Sequence, residues 1–158
     1  MLTTALVLTT AACGVHGLSL VQDRRVDVVR PKERAKVELP VTVRWTVKDF
    51  AVGPGAGSFG VLVDRAPPPS GKSLAWLVRG EAGCKGAGAA TCARPEFLAQ
   101  NNIFQTNDTS FRVDQVNRLT GSQAGRQFHE VTVVLLDGKG ARVGEGAWPV
   151  QFEVKEKH

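Results

Sequence analysis

The chain has 158 residues, 42% of them hydrophobic and 22% charged, which is room and composition for one domain with a real core. The formal net charge is +5. It is dispersed, because acids interrupt the densest basic stretch, "DRRVDVVRPKERAK" at 23–36, and a nucleic-acid binder wants a concentrated basic face.

Residues 1–12, "MLTTALVLTTAA", carry no charge. The run is shorter than the roughly 20 apolar residues that span a bilayer. A short apolar region ending in small residues reads as an export signal. Thr10 and Ala12 have the spacing that a general signal peptidase accepts. "TAAC" also resembles a bacterial lipobox, in which the cysteine is lipidated and becomes the mature N-terminus. That resemblance makes Cys13 the lipidation site, 1–12 the signal peptide and 13–24 a tether. Two features depart from the motif: Thr10 stands where an aliphatic residue is usual, and a positive segment before the apolar run is missing. The expected place is the extracytoplasmic face of the cell membrane, with a secreted protein as the alternative.

Setting Cys13 aside leaves Cys84 and Cys92, which bracket "CKGAGAATC". The spacing is not that of a zinc site, which wants four ligands in close pairs. A disulfide needs two cysteines and suits an exported chain.

Strand signals begin at "VDVV" (26–29), stopped by Pro31. "VELPVTVRWTV" (37–47) alternates, with Val41, Val43, Trp45 and Val47 on one face and Thr42, Arg44 and Thr46 on the other, as a half-buried strand does. "GPGAG" (53–57) is a turn. "SFGVLVDR" (58–65) is the next strand, and "APPPSG" (66–71) is neither ladder nor helix interior. "KSLAWLVR" (72–79) reads as extended. Residues 80–95 form a Gly-rich loop, and "PEFLAQNN" (95–102) reads as one or two helical turns opened by Pro95. "TSFRVDQV" (109–116) alternates, and "RLTGSQAG" (118–125) is a turn region. "FHEVTVVLLD" (128–137) is a central strand by its continuous apolar run. "DGKG" (137–140) is a hairpin signal. "GAWPVQFEV" (146–154) is the last strand, with Pro149 marking an edge or bulge. Seven or eight short strands with frequent turns predict an antiparallel sandwich or barrel.

"VRPKERAKVELPVTVRWTV" resembles the opening of bacterial immunoglobulin-like domains, and "HEVTVVLLDGKGARVGEGAWPVQFEV" resembles their closing hairpin. The resemblance implies an all-β, immunoglobulin-like (or fibronectin III-like) antiparallel β-sandwich over 25–156, with a disulfide-bracketed loop insertion. It implies no single activity.

Catalytic signals are weak. "HEVTV" (129–133) lacks the second histidine of a metalloprotease helix and sits in a strand pattern, which makes His129 a residue at a sheet end. "GPGAG" and "GKSL" lack a full phosphate-loop motif. "NDT" (107–109) fits a glycosylation acceptor only formally. Asp64 and Glu81 flank the proline run. No metal, cofactor or catalytic residue is assigned, and the chain is expected not to be an enzyme. The expected role is an interaction or structural module of the envelope, with a membrane, through the lipid, and an envelope protein or glycan as partners. The alternative is a module binding envelope glycan or a small molecule through 64–94. Its binding surface would comprise Asp64, Arg65, Pro67, Pro68, Pro69 and Trp76, with Trp76 as anchor. Trp45 and Trp148 are expected in the core.

Overall fold

A computed structural model describes residues 23–84, 89–117 and 128–155. Cys13, the signal and most of the tether lie outside the described residues, as does the turn region at 118–125. The strands are β1 (Val26–Arg30), β2 (Ala35–Val37), β3 (Val41–Val47), β4 (Ser58–Val63), β5 (Ile103–Thr106), β6 (Ser110–Val113), β7 (His129–Leu136) and β8 (Trp148–Val154). One sheet has the order β1-β3-β6 and the other β2-β8-β7-β4-β5. The chain is an immunoglobulin-like β-sandwich carrying an insertion between β4 and β5.

The segment expected as one strand over 37–47 is two. Pro40 lacks the N–H that a ladder needs, and at the Leu39–Pro40 step the chain crosses from one sheet to the other. β3 keeps the expected alternation, with Val43 and Trp45 buried and Thr42, Arg44 and Thr46 exposed. β2 runs parallel to β8, from Ala35 opposite Phe152 to Val37 opposite Val154. This is the one departure from antiparallel pairing among the described strands.

Between the sheets, Trp45, Phe59, Val61, Val131, Val133, Leu135 and Phe152 form the main core. Trp45 meets Phe59 edge-on at 5.3 Å between ring centroids. Trp148 is only half-buried at its margin, and its indole N–H donates to the Asp23 carbonyl at 2.9 Å. Asp23 also accepts from Arg25, and that hydrogen bond holds its carboxyl below the ordinary value.

Neither β4 nor β7 alternates, and the reason is a second core on the outer face of the five-stranded sheet. Leu62, Ile103, Val134 and Leu136 point outward there and are covered by Leu74, Val78, Cys84, Cys92 and Leu98 of the insertion. A strand buried on both faces has no need of polar positions. Gly60 lies on this covered face, between β7 and the insertion. A Cβ there would sit 2.8 Å from Val134 Cγ2 and 3.1 Å from Leu74 Cδ2. Gly60→Val is therefore expected to lower stability by about 1–3 kcal/mol through overpacking, read as a lower urea midpoint. An unchanged midpoint would mean that the insertion is not closely seated.

The insertion is helical where an extended segment was expected. Leu74–Val78 is a 3-10 helix whose Leu74 and Val78 are buried; five apolar residues alone do not distinguish the two conformations. Two short helices follow, α1 (Ala89–Cys92) and α2 (Pro95–Gln100), the latter with Pro95 in its first turn as expected. β5 falls in a stretch where no strand was expected.

The Asp-Gly turn forms. Asp137 Oδ1 accepts the N–H groups of Lys139 and Ala141, both at 2.9 Å, and these bonds hold its carboxyl below the ordinary value. The connection is longer than a tight hairpin, because β7–β8 pairing ends with Val133 opposite Trp148.

Candidate interaction surface

The insertion leaves the sheet at Asp64 and returns at Asn102, both with positive φ (52° and 59°). Asp64 Oδ2 lies 2.7 Å from His129 Nδ1, and Asp64 Oδ1 accepts the Glu130 N–H at 2.8 Å. The side chains of His129 and Asp64 are 13% and 7% exposed. Glu130 extends the cluster by accepting from Gln151 Nε2 at 2.9 Å. His129 does begin β7, at the sheet end. Its partner, 65 positions away, was invisible to spacing arguments.

Arg65 closes the base of the insertion. Its guanidinium donates to the Asn101 carbonyl at 2.8 Å and lies 3.5 Å from Glu81. The proline run is fixed by Arg142, a buried cation that the sequence did not single out. Arg142 donates to the carbonyls of Pro68 (2.5 Å), Glu145 (2.6 Å) and Gly146 (3.2 Å). Its backbone exchanges bonds with Gly71 and Lys72. Pro68 is buried, Pro67 half-buried and Pro69 exposed.

Trp76 is half-buried, with the Arg79 guanidinium stacked 3.4 Å from its ring centroid. Arg79 also donates to the Trp76 carbonyl at 2.7 Å. Four of the six residues of the expected surface thus take different partners. Asp64 turns to His129, Arg65 to Asn101, the Pro68 carbonyl to Arg142 and Trp76 to Arg79. Glu81 is paired with Arg65. Among the described residues no group of three or more His, Cys, Asp and Glu is placed to hold a metal ion.

Cys84 and Cys92 form a disulfide, with Cα atoms 5.3 Å apart. Both are buried in the outer core. Replacing both by alanine is expected to lower stability by about 2.5 kcal/mol, the closure entropy of a loop this size. Non-reducing thermal unfolding of wild type and variant checks it; equal midpoints would deny the bond a structural role.

The chain matches no family model and no curated protein. A solved structure of Clostridium thermocellum CbhA fibronectin(III)-like modules aligns with 84% of this chain and 99% of its own, at 14% identity and a TM-score of 0.41.

Proposed function

We propose that the chain is a non-catalytic interaction module held at the extracytoplasmic face of a bacterial membrane by a lipid on Cys13. The observation that carries this reading is the buried Cys84–Cys92 disulfide, since structural disulfides persist in exported proteins and are rare in the cytosol. The uncharged run ending in Ala11, Ala12 and Cys13 supplies the matching export and anchoring signal. The strongest polar groups support a structural use: Asp64 with His129, and Arg142 with three carbonyls, hold the insertion on the sandwich. The insertion is the part that departs from a minimal sandwich, and it is where a partner would be recognised. That partner is an envelope protein.

Metabolic labelling with a fatty-acid analogue in a bacterial host tests the anchor. Label on the wild-type chain and none on Cys13→Ala is the expected result. An unlabelled, unprocessed chain that stays in the cytosol would overturn both anchor and location.

A further inference from the structure

β5 is an outer strand of the five-stranded sheet, paired with β4 on one side. Along its other side runs a groove of ≈ 610 Å³, walled by Leu98 and Ala99 of α2 and by Phe111 of β6. Residues 103–107 line it without a gap. Side chains of a strand alternate between faces, so the wall that consecutive residues share is the strand's own edge.

The phase of the ladder shows what that edge offers. Val63 N–H donates to the Asn102 carbonyl at 3.0 Å. Bonds in an antiparallel pair alternate, so Phe104 and Thr106 bond to β4, while Ile103 and Gln105 turn their N–H and C=O away from it. Ile103 is fully buried and closes the floor, whereas Gln105 is exposed. Among the described residues none pairs with the Gln105 main chain on that side, so it presents a donor and an acceptor between apolar walls. The half-buried rings of Phe104 and Phe111, 4.6 Å apart, form the wall on the side of the other sheet. Among the described residues of the lining, Glu96 is the one ionisable side chain, and it is exposed at the rim.

We infer that this groove takes an extended peptide segment of a partner protein, added as a strand at Gln105, with apolar side chains against Leu98 and Phe111 and a basic residue beside Glu96. Strand addition draws affinity from main-chain bonds and specificity from pockets for alternate side chains. The amides of N-acetylated sugars hang from rings and do not recur at the spacing of a strand, and an acidic ligand would meet Glu96. The exposed edge is short, which disfavours runaway self-pairing. The inference rests on the interaction-module reading and is independent of the anchor: labelling of Cys13 with no peptide bound would end this proposal and leave that reading standing.

The test titrates the full-length chain against blocked peptides about eight residues long, long enough to overhang β5. They alternate valine and threonine, with one central position neutral, lysine or glutamate, and binding is read by fluorescence anisotropy. The lysine form is expected to bind best. N-methylation of the amide that pairs with Gln105 should weaken it about tenfold or more, as loss of one edge bond does. Gln105→Pro removes the outward N–H and should lose binding, while Gln105→Ala keeps it and should bind within about threefold of wild type, less than half a hydrogen bond's worth. Glu96→Lys should reverse the preference between lysine and glutamate peptides and gives an answer even if Gln105→Pro does not fold. No saturable binding, or equal binding of methylated and unmethylated peptides, would overturn the proposal. So would dimerisation of the chain that peptide cannot displace, which would assign the edge to a second copy.

Discussion

Phe59→Ala is expected to lower stability by about 3–5 kcal/mol, the cost of truncating a fully enclosed aromatic. Phe59 has no exposed surface and touches both halves of the sandwich. It sits on β4, meets Trp45 of the opposite sheet at 5.3 Å and Phe50 at 6.4 Å, and pairs in register with Leu135 of β7. A cavity there cannot collapse without drawing the sheets together, and neighbouring strands on both sides of β4 resist that. Against a total of about 5–15 kcal/mol for a domain, much of the folded population would be at risk on mild heating. Urea unfolding of wild type and variant checks it. A loss below about 1 kcal/mol would mean that the inner core is loosely packed.

Arg142→Ala is expected to cost about 2–4 kcal/mol, for a different reason. The guanidinium is 6% exposed and serves three carbonyls, while the Glu145 carboxylate lies 3.9 Å away and is 81% exposed. Its removal strands the Pro68, Glu145 and Gly146 oxygens, each worth roughly 1–3 kcal/mol when buried without a donor. Water can reach part of the site through the exposed Glu145 side, which keeps the total below the full sum. Arg142→Lys should not restore stability, since one ammonium cannot reproduce a planar fork reaching two directions. The loss should be accompanied by faster amide exchange at Gly71, whose N–H donates to the Arg142 carbonyl. Full rescue by lysine would show that charge alone matters at this position.

How legible the molecule was in its sequence depends on how many faces of each element are covered. β3 was readable because one face is buried and the other wet, so Val43 and Trp45 alternate with Thr42 and Arg44. β7 was readable as central because Val131 to Leu136 are all enclosed, yet the covering layer that encloses it could not be inferred from β7 itself. Of that layer, the sequence shows the helical turn opened by Pro95, whereas 72–79 suggests an extended segment and 80–95 a loop. "LAWLV" carries no polar position to reveal its period, and only contact with Val134 and Leu136 fixes it as a 3-10 turn. β5 escaped notice because four residues between Asn101–Asn102 and Asn107–Asp108 resemble a pause between turns. The disulfide was readable from cysteine arithmetic. The Asp64–His129 pair and the Arg142 clamp were not, since both join residues more than 60 positions apart. Trp76 stands beside the prolines in the sequence, which suggests an anchor, but its stacking on Arg79 comes from a local 3-10 turn where "KSLAWLVR" alone suggests an extended segment.

Mass spectrometry of the protein recovered from a bacterial envelope, mapped without reduction, tests the central claim most directly. The expected protein begins at an acylated Cys13, with Cys84 and Cys92 recovered in one disulfide-linked peptide. A chain that retains Met1 and carries three free thiols would contradict the anchor, the compartment and the closed insertion together.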